Sequence, residues 1–424
     1  MIVQVIGMGR IGLSIASLLA TNGVEVYGYD IIDYSADPET LISRYRDEPM
    51  LSVMIVNCVA NNHIRFAARI QKADYYLLTI NTISLDCRIS DVEIYPLLDK
   101  LAEEIEAGSQ IILISTVTPG SCLKIKEYIY KKRPDLIDYI SIVYSPERGN
   151  PGEMINDMVY MDRLLGSDDQ IGFIKAKKIF SCFVKAKLHY TTIVEAEIIK
   201  IFENVYRDCC IAVSNHLFMM LDDYDVNRWR LMDLANTNKR VNIMRTGVGV
   251  GGVCISAASN AMISYDRKNT VLLKAVRDVN DKKTEWCIKK ITTYIELYIK
   301  ENKSIPKVAF MGMTYKPNVS EIKNSSAMKI IERIRCMYDM DIYCADPYLQ
   351  TFEYAGFVDI AYAVRESDVI IYLVAHKVFE NIEIDKSKHV IDLVGACADK
   401  YVMEGDDNLI YKVSDENTKL LSIN

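Results

Sequence analysis

The segment Gly7-Met8-Gly9-Arg10-Ile11-Gly12 constrains this chain more than any other, because it stands between a short apolar run, Ile2 to Gly7, and a helical apolar pattern, Ile11 to Thr21. Each glycine meets a physical demand. The first permits a tight turn, the second lets the backbone approach a pyrophosphate, and the third allows close helix packing. The amides of the helix N-terminus then face the anion. A second strand pattern, Val24 to Tyr29, ends in Asp30, where such turns place the acid that accepts from ribose hydroxyls. Its charge disfavours the extra phosphate of NADP, so the expected cofactor is NAD, held by Gly7, Gly9, Arg10, Ile11, Gly12 and Asp30.

Further strand patterns at Tyr75 to Ile80, Gln110 to Ile114 and Tyr139 to Val143 alternate with helical ones such as Glu93 to Ile105. That alternation predicts a mostly parallel sheet covered on both faces. From about Val194 to Asp223 one long helix is expected, with Ile198, Ile201, Val205, Leu217 and Met220 as its apolar face and a role as linker and dimer-forming spine. Strand patterns return at Lys307 to Met311, Asp341 to Cys344, Val369 to Val374 and Val390 to Leu393, predicting a second α/β domain. Its turn, Gly312-Met313-Thr314-Tyr315-Lys316-Pro317, lacks the three glycines, which points to a different ligand. No internal sequence repeat is evident.

Fifty Lys and Arg against 57 Asp and Glu leave a net charge of −7, so nucleic acid and anionic membranes are not expected partners and any anionic ligand needs a local site. The apolar runs fall short of the ~18 residues that span a bilayer. Met1 leads straight into a strand pattern without a signal segment, so a cytoplasmic location is expected. The 11 Cys lack metal-ligand or disulfide-framework spacing, and the 5 His show no paired motif, so no metal is assigned.

Four other segments carry chemistry. Gly247-Val248-Gly249-Val250-Gly251-Gly252-Val253-Cys254 reads as a loop whose backbone approaches a ligand and presents a thiol, or as a structural cysteine after a flexible loop. Lys200 and Asn204, at i and i+4, share one side of the long helix, with Arg207 extending the stripe. Ser145-Pro146-Glu147-Arg148 and Ser115-Thr116 each follow a strand, at the edge where open α/β sheets bind ligands.

Taken in order with Glu197 to Asn204, Lys239-Arg240-Val241-Asn242-Ile243, Tyr315-Lys316-Pro317-Asn318 and Asp346-Pro347-Tyr348, these motifs resemble the UDP-glucose/GDP-mannose dehydrogenase superfamily over almost the whole chain. The Pro-Glu-Arg form and Arg240-Val241-Asn242-Ile243 resemble the branch acting on UDP-N-acetylhexosamines. The resemblance implies two Rossmann-like, doubly wound α/β domains joined by a helical dimerisation domain, with boundaries at 1–190, 191–300 and 301–424. It implies NAD-dependent oxidation of the sugar C6 hydroxyl to the uronate, UDP-ManNAc favoured, in a homodimer or higher homo-oligomer. Cys254 would form the thiohemiacetal and thioester, Lys200 and Asn204 would steady the oxyanion, Glu147 would serve base catalysis, and Thr116 would stand at cofactor and water. Thr82 and Lys323 fall at cofactor positions. Arg148, Arg207, Asn238, Arg240, Gly251, Tyr315 and Lys316 fall at positions for the nucleotide sugar.

The chain departs from the family pattern at Ala258, which replaces an aspartate after the cysteine, and at Asn238, Lys323 and Val394, which replace a His and two cationic residues. An Arg-to-Lys change loses the planar bidentate fork. These departures set a second reading beside the first: a degenerate homologue that binds NAD and nucleotide sugar with impaired or incomplete turnover.

Overall fold

The computed structural model describes residues 1–32, 34, 45, 47–224, 226–266, 268–349, 352–385, 387–396 and the backbone of 410–412. Two compact units divide the chain, Met1–Asn204 and Val205–Asn424, and the division falls inside the long helix Ile193–Met220. The last stretch of the expected 301–424 domain, with Cys397, lies outside the described residues.

In the first unit, β1 (Ile2–Ile6), β2 (Glu25–Tyr29), β3 (Ile64–Phe66), β4 (Tyr75–Leu78), β5 (Gln110–Leu113), β6 (Ser141–Tyr144), β7 (Arg163–Ser167) and β8 (Leu188–Thr191) form one sheet in the order β3-β2-β1-β4-β5-β6-β7-β8. Every neighbouring pair is parallel except β6 with β7. The apolar runs are continuous because both faces are covered. Val3, Val5, Leu77, Ile112 and Val143 enter one core, while Ile6, Tyr76, Leu78, Ile111 and Leu113 enter the other. The strand order reverses between β1 and β4, and that switch point is where such sheets open a ligand crevice.

In the second unit the rest of the long helix is followed by the helices Arg228–Ala235, Cys254–Tyr265 and Val271–Asn302. Then β9 (Val308–Met311), β10 (Ile342–Ala345), β11 (Val369–Tyr372), β12 (His389–Asp392) and β13 (Ile410–Lys412) form a sheet in the order β10-β9-β11-β12-β13, parallel except for β12 with β13. The two α/β layers foreseen from strand alternation are present. The short strands β3, β7 and β8 were not foreseen.

The apolar face expected of the long helix divides between interior and surface: Ile201 is buried, whereas Leu217 and Met220 are 39% and 57% exposed. The buried stripe runs through Glu197, Ile201, Asn204, Asp208, Ala212 and Asn215. Polar groups can occupy it because they are partnered: Asp208 accepts from Ser259, Arg277 and Asn280, and Asn215 donates to Asn280. Among the described residues no helix is long and apolar enough to cross a membrane.

Candidate functional site

The glycine turn sits at the carboxyl end of β1 and opens the helix Arg10–Thr21. Gly7 has φ +98°, a conformation unfavourable to any side chain, and its N–H donates to the Tyr29 carbonyl. A Cβ on Gly12 would stand 1.8 Å from the Gly7 oxygen, so the helix approaches the turn as closely as it does only because both are glycine. At Gly9 a Cβ would meet nothing within 4 Å, and no side chain caps the helix there. Asp30 Oδ2 accepts from Met8 N at 2.6 Å and Oδ1 from Ile32 N at 3.1 Å, which fixes the carboxylate at the carboxyl end of β2.

The turn after β9 repeats this device although the sequence shows no repeat. Gly312 has φ +93° and donates to the Ala345 carbonyl, Asp346 Oδ2 accepts from Met313 N at 2.7 Å, and Asp346 Oδ1 accepts from Tyr348 N. Here the carboxylate is buried and also meets His376 Nε2 at 3.1 Å. His376 Nδ1 accepts from Asn318 N, tying the carboxylate to the turn that carries Tyr315 and Lys316.

The other first-unit residues line the carboxyl ends of β4, β5 and β6. Thr82 Oγ1 donates to the Thr116 carbonyl at 2.5 Å, joining two of the expected positions. Glu197, fully buried, accepts from Gly120 N at 2.6 Å and Cys122 N at 2.8 Å, which moors the loop after Thr116 to the helix bearing Lys200 and Asn204. Lys200 Nζ donates to the main-chain oxygen of Glu147. The Glu147 carboxylate is buried: Oε2 accepts from Arg163 Nη1 at 3.0 Å, and Oε1 accepts from the amides of Arg148 and Gly149. The Arg148 guanidinium forks onto Glu203, and that of Arg10 onto Asp47 and Glu48. Glu48 also accepts from Gly152 N. Sequence reasoning did not single out Arg163, Glu203, Asp47 or Glu48, whose partners lie far away along the chain.

In the second unit Cys254 is exposed and is the first residue of the helix Cys254–Tyr265. A helix N-terminus favours a thiolate. The glycine loop before it is packed tightly: a Cβ at Gly249 would stand 2.2 Å from Thr284 Oγ1, and one at Gly251 would stand 2.7 Å from Tyr315 Cβ. Gly252 N donates to the Lys323 carbonyl, and Asn324 Nδ2 donates to the Gly252 carbonyl. Gly251, Cys254, Tyr315, Lys316 and Lys323 are thus brought to one turn cluster. Asn238, Arg240 and Arg207 are exposed, and the buried register beside Asn204 belongs to Asp208 instead. Ala258 is fully buried, and Ser259 after it donates to Asp208 Oδ2 at 2.6 Å. Val394 is buried as well.

Three models of the UDP-glucose/GDP-mannose dehydrogenase family match the chain: the NAD binding domain over 1–184, the central domain over 194–282 and the UDP binding domain over 309–400. A UDP-N-acetyl-D-mannosamine dehydrogenase of Methanocaldococcus jannaschii is 31% identical over 394 residues, covering 92% of this chain and 89% of that protein. The chain belongs to this family. The enzyme of the same name from Escherichia coli K12 is 28% identical over 93% of this chain and 98% of its own. Among solved structures, that of the UDP-D-ManNAc dehydrogenase from Pyrococcus horikoshii superposes with a TM-score of 0.79 at 24% identity, covering 90% of this chain and 91% of that one, a likeness of fold.

As a member of the family the protein is an NAD-dependent oxidoreductase. The turn fits that cofactor: the open space at Gly9 and the uncapped helix N-terminus suit a pyrophosphate, and Asp30 is held to accept from the ribose. Gly7, Gly9, Ile11, Gly12 and Asp30 would hold it.

Proposed function

We propose that the protein oxidises the C6 hydroxyl of a UDP-N-acetylhexosamine, UDP-ManNAc favoured, to the uronate through a covalent intermediate on Cys254. The observation that carries this reading is the exposed thiol at a helix N-terminus, on a glycine loop packed against Tyr315 and Lys323, in a chain whose relatives are named for that oxidation. When bound, NAD⁺ would supply the acceptor for each of the two hydrides that leave C6, one on the way to the aldehyde and one on the way from thiohemiacetal to thioester. The Cys254 thiolate adds to the C6 aldehyde, forming the C–S bond of a thiohemiacetal. The Lys200 ammonium and the Asn204 amide steady its oxyanion. Once C6 is a thioester, water breaks the C–S bond, freeing the thiol and leaving a carboxylate. Tyr315, Lys316, Arg240 and Arg207 hold the UDP-sugar, and the three-part division at 1–190, 191–300 and 301–424 belongs to the same reading.

Ala258 favours a second reading, in which the thioester forms but is hydrolysed slowly or not at all. Asp208, a buried carboxylate on the long helix, accepts from Ser259 on the helix that starts with Cys254. Incubation with NAD⁺ and UDP-ManNAc, UDP-GlcNAc or UDP-glucose, counting NADH per sugar, separates the readings. Two NADH per sugar supports full oxidation, a sub-stoichiometric burst with sugar bound to protein supports the second reading, and binding without NADH sinks the dehydrogenase reading.

We also infer a homodimer formed through the long helix. Its outward face carries Phe202, Tyr206, Val213, Leu217 and Met220, all exposed, an apolar stripe that a second copy would cover. A cytoplasmic site of action fits a nucleotide-sugar substrate.

A further inference from the structure

Arg163 opens β7 and reaches back across the antiparallel pairing to the segment that follows β6. Its Nε donates to Ser145 Oγ at 2.8 Å, its Nη1 to Glu147 Oε2 at 3.0 Å, and its guanidinium lies 4.3 Å from the centroid of Phe180. Both charged groups of this pair are about 5% exposed. The other carboxylate oxygen of Glu147 is occupied by two backbone amides, so the side chain is clamped from both ends. The main-chain oxygen of the same residue accepts from Lys200 Nζ. One glutamate therefore faces two cations, a buried guanidinium through its side chain and the Lys200 ammonium through its backbone.

We propose that Arg163 is a positioning residue for the oxidation: by clamping the Glu147 carboxylate it fixes the Glu147 carbonyl, and that carbonyl aims the Lys200 ammonium. This rests on the reading of Lys200 given above. It reassigns Glu147 as well, from a base that takes a proton to an anchor that acts through its backbone. Oε1 is taken by the Arg148 and Gly149 amides and Oε2 by the buried guanidinium, so both carboxylate oxygens are committed to holding the loop.

The test compares kcat and KM of the full-length protein with NAD⁺ and UDP-ManNAc across variants, each checked for its melting temperature and its NAD affinity. Arg163→Met leaves the Glu147 charge buried and unpaired, and is expected to lower kcat at least ~10-fold while both KM values stay within about 3-fold. Arg163→Lys should fall similarly, because a point charge cannot serve Ser145 and Glu147 together. It stands in for Arg163→Met if that variant does not fold. The double variant Glu147→Gln with Arg163→Met replaces the ion pair by a neutral one that can still accept from the two amides, so it should turn over faster than Arg163→Met alone. A base role for Glu147 predicts the reverse. A double variant no faster than Arg163→Met, or an Arg163→Lys enzyme with the parent kcat, overturns the proposal. Lys200→Met is the control: parent-like turnover there would remove the role of Lys200 itself, an outcome distinct from failure of the Arg163 clamp.

Discussion

The ammonium of Lys283 stands 3.9 Å from the ring centroid of Phe218 and 4.2 Å from that of Trp286, fully buried and with no hydrogen-bond acceptor among the described residues. Burial pulls its pKa from 10.5 down to about 8; Arg228 and Lys290 add to the drop, while Cys287 and Asp222 oppose it. While both states are protonated, a shift of this size costs ~3 kcal/mol of stability, and the cation–π contacts return about 1 kcal/mol. Between pH 8 and 10.5 the unfolded chain holds more protons than the folded one, so this cost fades as pH rises. Cys287 has the opposite sign: burial raises its pKa from 9.0 to about 11, so its contribution is lost as pH climbs through that range. Lys283 itself lowers the Cys287 pKa, so parent and variant are compared below pH 9, where Cys287 keeps its proton in both states. Lys283→Met should stabilise the protein by about 2 kcal/mol at pH 7 in denaturant titrations, with the gain shrinking above pH 8. A gain that does not change with pH would mean that packing, not charge, sets the cost.

Glu197 governs an element rather than a residue, because its buried carboxylate accepts the N–H groups of Gly120 and Cys122 at the start of the helix Ser121–Lys132. Glu197→Ala would orphan the buried Cys122 donor and the part-buried Gly120 donor, an expected loss of about 2 kcal/mol in denaturant unfolding. Hydrogen exchange at the Cys122 amide should accelerate well beyond that of the sheet, and equal acceleration everywhere would show only a global loss. The same helix pair shows where the sequence is legible. The turn Gly7 to Gly12 could be read because all its constraints lie within six consecutive residues. On the long helix, apolar periodicity groups buried Ile201 with exposed Leu217 and Met220, because it marks any face that avoids water, including one that a second subunit would cover. Its interior stripe of Glu197, Asn204 and Asp208 makes sense only once the partners from distant segments are in place. Arg163 was invisible for the same reason: its tie to Glu147 depends on the β6–β7 pairing, and a lone Arg at a strand start carries no local signal.

For the molecule as a whole, the apolar stripe on the long helix predicts its assembly state. Val213→Arg together with Leu217→Arg should convert a dimer to a monomer in light scattering, whereas a parent protein that is already monomeric would remove the stripe as an interface. The repeated turn lock offers a sharper comparison, since both sheets use glycine, amide and aspartate in the same register and differ in what covers the carboxylate. Asp30 is partly exposed and accepts from two amides, so in Asp30→Ala water can replace the lost acceptor. The fold should lose under ~1 kcal/mol while NAD affinity falls at least ~10-fold, the worth of a lost contact to the ribose. Asp346 is buried under His376 and accepts from Met313, Thr314 and Tyr348 amides, so Asp346→Ala orphans the buried Met313 and Thr314 donors. The expected loss is about 3 kcal/mol of stability, with NAD affinity unchanged in the folded fraction. Calorimetric titration with NAD and denaturant unfolding of both variants check this. If Asp346→Ala cost no more stability than Asp30→Ala, the shared lock would be a likeness of backbone only, without the difference in energetics that burial imposes.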